Sequence, residues 1–113
     1  PIFIQIVERI EMDIISGKYK PGDKLPSVRD LAAEAAVNPN TMQKAFTELE
    51  RTGLVFSQRT TGRFITEDTS MIDELKSTLA KDKITELLSF MQQLGFQENE
   101  ILAMIGQTMK GEK

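Results

Sequence analysis

The fold follows from residues 26–49, PSVRDLAAEAAVNPNTMQKAFTEL, whose pattern is typical of two short helices joined by a tight turn. Ser27, with Asp30 three residues later, predicts the N-cap of the first helix. Asn38 predicts the N-cap of the second, because Pro39 follows it and proline favours the first helical position. Together these signals predict a helix-turn-helix.

The second helix has one apolar face and one polar face. Its apolar residues recur at i, i+3, i+4 and i+7, and they are Met42, Ala45, Phe46 and Leu49. The opposite face and the first turn carry side chains that can read base edges or reach phosphates, namely Asn40, Thr41, Gln43, Lys44 and Thr47. Plain solvation of this face is the alternative, but Asp and Glu are absent from positions 39–47. We therefore expect the second helix to lie in the major groove of DNA.

Arg29 lies in the first turn of the first predicted helix, where a cation opposes the helix macrodipole. Such a position makes more sense beside a phosphate, which would also meet the backbone N–H groups next to the Ser27 cap. A solvated Arg29 paired with a neighbouring acid is the alternative. We expect Arg29 to hold a phosphate or to reach a base edge.

A β-hairpin is predicted after the helix pair. Residues 54–58 and 63–66 have the β-branched and aromatic content of strands, and residues 59–62 have the composition of a turn. A further, very short strand is predicted at Lys24-Leu25, after a Pro-Gly-Asp turn that follows the first helix of the chain at residues 2–16. The expected fold is therefore mainly α with a small β-wing.

Residues 17–65 resemble the winged helix-turn-helix of the GntR family of bacterial transcription regulators. The resemblance implies a DNA-binding repressor or activator that acts as a homodimer. It also implies that the wing tip reaches an adjacent minor groove. It is carried, at fixed spacing, by Gly17, Tyr19, Pro21-Gly22-Asp23-Lys24-Leu25-Pro26-Ser27, Arg29, Leu31-Ala32, Val37, Asn38, Thr41, Ala45, Leu49, Gly53-Leu54, Gly62 and Phe64-Ile65.

The wing departs from the family pattern at two positions. Thr60 stands where the family often has the first glycine of Gly-x-Gly, and Arg63 replaces the threonine that follows Gly62. An added arginine favours contact with phosphate or with a narrow minor groove. The predicted DNA-binding residues are Lys24, Ser27, Arg29, Asn40, Thr41, Gln43, Lys44, Arg59, Gly62 and Arg63.

Residues 67–113 predict two amphipathic helices, at about 71–94 and 98–109, behind a winged domain at residues 1–66. A core of so few residues is marginal by itself, so these helices need another surface to cover them. A second copy of the same helices is the economical cover, and folding back onto the winged domain is the alternative. The tail resembles that of the small YtrA-like subfamily. The predicted dimerisation residues are Ile72, Leu75, Leu79, Ile84, Leu87, Leu88, Met91, Ile101, Leu102 and Ile105.

Composition excludes several classes of chemistry. The 113 residues include no cysteine and no histidine, so disulfides, thiolate metal sites and the usual Ser-His or Cys-His catalysis are ruled out. No metal site, cofactor, membrane span or signal peptide is expected, and the chain reads as a cytoplasmic protein. The net charge of −3 comes from the tail, since residues 1–66 carry nine basic and eight acidic side chains. DNA binding would therefore depend on local clustering of cations and on salt concentration.

Three alternatives remain open on the sequence alone. A winged-helix module that binds proteins would normally lack the basic and amide-bearing face of the second helix. An enzyme would need carboxylates or lysines in a cleft, and no paired arrangement is visible. A small-molecule effector of unknown identity could lie between the tail helices, where Met91, Met104 and Met109 would adapt to it, although methionines on such a face are more often core residues.

Overall fold

A computed structural model describes residues 1–112 of the chain. Within that range it has five helices and one two-stranded antiparallel sheet, which confirms the mainly α fold with a small β-wing. None of the described helices is long and apolar enough to cross a membrane. The elements in chain order are α1 (Ile2–Ile15), α2 (Val28–Ala35), α3 (Pro39–Arg51), β1 (Val55–Gln58), β2 (Gly62–Ile65), α4 (Thr69–Gln93) and α5 (Glu98–Met109).

The chain divides into two compact units, a winged unit at Pro1–Glu74 and a tail unit at Leu75–Lys113. The division lies eight residues beyond the predicted boundary after residue 66, because the first turns of α4 belong to the winged unit. Met71 explains part of this, since its Sδ and Cε lie about 3.5 Å from the position that a Cβ on Gly53 would take.

The core of the winged unit is built around α3, which packs against α1, α2 and β1. The apolar face predicted for α3 is the buried one, so the periodicity of the sequence identified the core correctly. α1 contributes the buried side chains Val7, Ile10 and Ile14 to the same core. The largest side chains with essentially no exposed surface are Phe46, Leu49, Ile65 and Val55.

Both predicted N-caps of the helix-turn-helix are confirmed. The Ser27 hydroxyl accepts a hydrogen bond from the backbone N–H of Asp30 at 3.0 Å, at the start of α2. The Asn38 side-chain oxygen accepts from the backbone N–H of Asn40 at 2.8 Å, at the start of α3. Each cap satisfies a backbone donor that has no partner within its helix, so the two helices begin where the sequence predicts.

The turn between α2 and α3 depends on one residue in the left-handed region. Ala36 has φ 55° and ψ 43°. The Val37 N–H donates to the Ala32 carbonyl at 3.0 Å, and the Ala36 N–H donates to the Ala33 carbonyl at 3.2 Å. This is a Schellman ending, a geometry for which glycine is the usual residue. An alanine there carries a steric cost that the sequence pattern did not reveal.

Lys24 pairs with the wing where the sequence predicts a very short strand, but through an isolated bridge and not as a third strand. β1 pairs with β2 from Val55↔Ile65 to Gln58↔Gly62, and Lys24 forms an isolated antiparallel bridge with Phe64. The Leu25 N–H donates to the Arg63 carbonyl at 2.8 Å. The segment before α2 is thereby attached to β2, so the helix-turn-helix and the wing are joined by backbone hydrogen bonds.

The tail unit contains most of α4 and all of α5. α4 is capped by Asp68, whose Oδ1 accepts from the backbone N–H groups of Ser70 at 3.1 Å and Met71 at 3.2 Å. Asp68 thus satisfies two backbone donors at the start of α4 that have no partner within the helix. Within the tail unit, Met91 and Ile101 are the described residues that are fully buried. Two helices alone thus enclose only a very small core.

Candidate nucleic-acid interface

The polar face of α3 is exposed at three of its four predicted base-reading residues. Asn40, Gln43 and Lys44 are exposed, and Thr41 is half-buried. The Thr47 hydroxyl donates to the Gln43 carbonyl at 2.9 Å, and the Gln43 amide lies 3.4 Å from the same hydroxyl. These contacts are exposed and leave the amide free to turn towards a base edge, which is the chemistry expected of a recognition helix.

The start of α2 presents Arg29 and the Ser27 cap to solvent. Among residues 1–112, Arg29 has neither a salt bridge nor a side-chain hydrogen bond. The alternative in which a neighbouring acid neutralises Arg29 is therefore not the arrangement that the structure shows. A free guanidinium at a helix start is available to a phosphate.

Lys24 lies at the wing, although it precedes α2 in the sequence. Its Cε lies 3.0 Å from the position that a Cβ on Gly62 would take. Gly62 has φ +118°, a conformation that side-chain-bearing residues rarely adopt. Arg59 is exposed in the three-residue turn between β1 and β2. The structure thus brings Lys24 to the wing beside Gly62, in the hairpin whose turn carries Arg59.

Thr60 occupies the position where the family pattern often has a glycine, and it has φ 67°. A β-branched residue in the left-handed region is a true outlier, because its Cβ crowds the following carbonyl. The replacement of glycine by threonine therefore preserves the turn and adds local strain.

Arg63, predicted as a wing contact to DNA, binds α3 in this structure. Its Nε donates to the Glu50 carboxylate, and its guanidinium carbon lies 5.2 Å from the centroid of the Phe46 ring. The Arg63 side chain is only 28% exposed. Sequence reasoning missed Glu50, although its spacing of four residues from Phe46 places both on one side of α3. Arg63 is thus held against the recognition helix and not extended from the wing tip.

The other acidic residues near α3 either form an ion pair or lie outside its first two turns. Glu48 binds Arg51, and the hydrogen bond from Arg51 lowers the pKa of the Glu48 carboxyl. Burial raises the pKa of Glu11 on α1, with smaller contributions from the negative charges of Glu8 and Glu48. The first two turns of α3 carry no acid, so their field is set by Lys44 and by neighbouring cations.

The predicted dimerisation residues have three levels of exposure, and one of them, Ile72, belongs to the winged unit. Met91 and Ile101 are buried, and both belong to the tail unit. The sequence missed Phe90 from this set, although it follows Leu87 by three residues and is 58% exposed. Five of the other predicted residues are half-buried, namely Ile72, Leu75, Leu79, Leu88 and Ile105. The remaining three are exposed, namely Ile84, Leu87 and Leu102.

A cleft of about 370 Å³ lies between α1 and the helix pair. Ile6, Ile10, Leu31 and Met42 are among its apolar lining residues, and Tyr19 lines it as a half-buried side chain. No group of three or more His, Cys, Asp or Glu that could hold a metal ion occurs among residues 1–112.

Comparison with known proteins places this arrangement among bacterial regulators. The gntR family of bacterial regulatory proteins matches residues 4–65. The HTH-type transcriptional regulator YhcF of Bacillus subtilis is 40% identical over 102 residues, which cover 90% of this chain and 84% of YhcF. The HTH-type transcriptional repressor YtrA of the same organism is 42% identical over 94 residues, which cover 83% of this chain and 68% of YtrA.

Solved structures give the same result. A GntR family transcriptional regulator from Listeria monocytogenes matches with a TM-score of 0.87 and 41% identity, covering 95% of this chain and 94% of that one. The DNA-binding domain of AraR, in complex with operator ORX1, matches 58% of this chain and 80% of its own, with a TM-score of 0.56 and 32% identity. The winged helix-turn-helix of this chain therefore has the same fold as one that binds operator DNA.

Proposed function

This chain belongs to the GntR family of bacterial regulatory proteins and is a DNA-binding transcription regulator, and we propose that it is a homodimeric repressor of a two-fold symmetric operator. α3 of each protomer enters the major groove, and the wing approaches the neighbouring minor groove. The observation that carries this proposal is the exposed, acid-free first half of α3, flanked by the unpaired Arg29 at the start of α2.

Nine of the ten predicted DNA-binding residues, all except Arg63, then have a role that follows from their position. Asn40, Thr41, Gln43 and Lys44 read base edges, because they occupy the exposed or half-buried start of α3. Arg29 and the backbone beside Ser27 hold a phosphate at the start of α2. Lys24 and Arg59, together with the close-packed Gly62, form the cationic part of the wing.

Dimerisation through the tail is supported by the apolar side chains that one tail leaves uncovered. Ile84, Phe90, Leu94 and Leu102 are each more than half exposed. A second copy of the same helix pair covers such a surface and places two recognition helices on two half-sites. The division of the chain into a winged DNA-binding domain and a dimerisation tail is part of this proposal.

Repression is the sign of regulation favoured by the relatives, since the YtrA protein of Bacillus subtilis is a repressor by name. A regulator of this kind acts where the DNA is, so we place the protein in the cytoplasm. A small molecule that binds in the tail would be its effector, and its chemistry remains open.

Selection of DNA from a random pool by the purified protein, followed by sequencing of the bound fraction, tests the proposal. Two inverted half-sites spaced by one helical turn or a multiple of it are expected. An enriched site without inverted symmetry would contradict the dimeric model, and no enrichment would favour a protein-binding winged helix, the second candidate function.

Variants of the selected complex test the residue roles. Arg29→Ala should weaken binding about tenfold, the value of one lost charge-assisted phosphate contact, while leaving the fold unchanged. Gln43→Ala should change the preferred sequence. Lys76→Ala is the matched control, because Lys76 is exposed on α4 in the tail unit. Equal binding of the Arg29 and Lys76 variants would remove Arg29 from the interface.

A further inference from the structure

The Arg63 side chain is clamped between two residues of the recognition helix. Phe46 lies beneath the guanidinium at 5.2 Å from ring centroid to Cζ, and Glu50 accepts a hydrogen bond from Nε. Both groups of the ion pair are partly withdrawn from water, with exposed fractions of 28% for Arg63 and 32% for Glu50. A cation over an aromatic face and against a carboxylate is held by two attractions at once.

The clamp connects the wing to the end of α3. The carbonyl of Arg63 accepts the Leu25 N–H at 2.8 Å, so its backbone is fixed to one side while its side chain is fixed to α3 on the other. Arg63 has the only side chain in β2 that forms a salt bridge within the part of the chain described by the structure. This contact therefore adds a second attachment between the wing and the recognition helix, beside the buried packing of β1 on α3.

The position of Glu50 gives the pair a second consequence. Glu50 follows Gln43 by seven residues and Thr47 by three, so it lies along the same side of α3 as the base-reading Gln43. An unpaired carboxylate on that side would repel the phosphates that the recognition helix must approach. The guanidinium of Arg63 neutralises it in the free protein.

We propose that Glu50 and Arg63 are positioning residues that act as a pair: Arg63 fixes the wing on α3 and cancels the charge of Glu50, and it does not contact DNA. The proposal rests on the DNA-binding function of the winged unit and refines it. It gives the two arginines of the wing different roles, because Arg59 alone then contacts the DNA backbone.

The decisive experiment compares the salt dependence of DNA binding in two single variants, which change the net charge, with that in a double variant, which does not. Arg63→Met keeps the stem on Phe46 and removes the cation, Glu50→Gln removes the anion, and the double variant restores the net charge. Each phosphate contact contributes about 0.9 to the slope of log affinity against log salt concentration. Arg59→Met is the reference for a lost phosphate contact and should reduce the slope by about that amount.

If the proposal is correct, Arg63→Met alone weakens binding to the selected operator about tenfold, because the carboxylate is left bare and the wing is released. Adding Glu50→Gln should recover the part of this loss that comes from the bare carboxylate, with a salt slope equal to that of the unaltered protein. If Arg63 instead contacts a phosphate, the double variant stays as weak as Arg63→Met, and its slope falls as it does in Arg59→Met. That result would overturn the proposal.

The exposed pair Glu48–Arg51 on the same helix provides the matched control. Its arginine is 69% exposed and its carboxylate is three residues away in α3, so the pair joins no other element. Glu48→Gln with Arg51→Met makes the same chemical changes as the test pair, and it should leave affinity and salt slope unchanged. If this control double variant lost as much affinity as Arg63→Met, loss of any ion pair on α3 would weaken binding. That result would overturn the specific role of Glu50 and Arg63.

A measurement without DNA separates failure of this inference from failure of the proposed function. The stabilities of the two single variants and the double variant in denaturant should be non-additive for Glu50 and Arg63, and hydrogen exchange should be faster across β2 in Arg63→Met. Additive effects and unchanged exchange would overturn the clamp even if the operator is bound. A non-additive pair in a protein that binds no DNA would instead reject the DNA-binding function.

Discussion

The winged unit and the tail unit differ in how completely they bury their own apolar residues. In the winged unit Phe46, Leu49, Val55 and Ile65 are almost entirely withdrawn from water. In the tail unit Met91 and Ile101 are buried, whereas Leu94 is 59% exposed and Met109 is 82% exposed. Single exposed apolar residues are common, but a series of them along two adjacent helices marks an interaction surface.

The difference teaches that one sequence can contain two kinds of apolar pattern with different partners. The winged unit buries its apolar residues within one chain, because two helices and a small sheet pack around α3. Two helices alone cannot enclose a core, so their exposed apolar side chains are available to a second copy of the tail. The helices of both regions are amphipathic, so the sequence pattern alone does not tell a core from an interface. The number of neighbouring elements in the same chain makes that distinction.

The largest expected effect tests the winged side of this comparison. Leu49→Ala should lower the free energy of unfolding by about 3 kcal/mol, because a fully buried leucine leaves a cavity that its neighbours fill only in part. Denaturant unfolding followed by circular dichroism measures the loss. Leu102→Ala in the tail, where the side chain is 64% exposed, is the control and should cost less than about 1 kcal/mol within a single chain. Equal losses would contradict the contrast between the two units.

The tail side is tested by Leu94→Lys. A charge in an apolar interface between copies should shift the protein from dimer to monomer, and affinity for a two-half-site operator should fall by about two orders of magnitude as the avidity of the second half-site is lost. Sedimentation equilibrium measures the first effect and a binding titration the second. Gln93→Lys, which adds the same charge at the neighbouring position, is the control. A dimer that survives Leu94→Lys would move the interface away from this surface.

A smaller effect concerns the turn between α2 and α3. Ala36→Gly should raise the free energy of unfolding by about 0.5–1 kcal/mol, because glycine adopts φ 55° without the steric cost that alanine incurs. Thermal unfolding measures the gain. Ala33→Gly, in the interior of α2, is the control and should lower stability by a similar amount. A loss at both positions would mean that the left-handed conformation at Ala36 is not strained.

The smallest effect depends on pH and concerns Glu11 on α1. Burial raises the pKa of this carboxyl in the folded state, so the folded protein binds that proton more tightly than the unfolded chain does. The contribution of Glu11 to stability therefore falls as pH rises through the folded-state pKa. Glu11→Gln should stabilise the protein by a few tenths of a kcal/mol at pH 7, and the gain should disappear below pH 4.5, the ordinary pKa of the group.

Comparing Glu11→Gln with the unaltered protein removes the contributions to stability of the other carboxyl groups that titrate in acid, because both proteins contain them. Asp68 and Glu48 are two of these groups, because hydrogen bonds from the Ser70 hydroxyl and from Arg51 lower their pKa values, and their contributions to stability are lost as pH falls through those lowered values. Unfolding curves of both proteins from pH 3 to pH 8 check the sign. A gain that grows towards low pH would contradict the raised pKa.

Much of the winged unit could be predicted from local signals. The caps at Ser27 and Asn38, the proline at position 39 and the apolar spacing of α3 are all short-range, and the structure confirms each one. Helix and strand ends differ from the predicted ones by only a residue or two, as at β1, which begins at Val55. Such ends depend on individual hydrogen bonds that the pattern of residues does not specify.

The candidate site was predictable by residue type and less so by arrangement. Arg29, Asn40, Gln43 and Lys44 are exposed because helical periodicity places them opposite the buried face. Lys24 joins the wing because a strand bridge brings it to Phe64 across about 40 residues of sequence. A periodic sequence pattern does not reveal such a long-range pairing. The sequence therefore predicted that Lys24 binds DNA but not that it lies at the wing.

The sequence by itself determined the helix-turn-helix, its caps, the polar face of α3 and the amphipathic tail, since each depends on residues within about two helical turns. Only the tertiary structure decided that Arg63 binds Glu50 over Phe46, because this contact joins a strand to a helix 13 residues away. It also decided which apolar residues of the tail remain uncovered. Periodicity reveals which face of a helix is apolar, whereas burial depends on whether another element is close enough to cover that face.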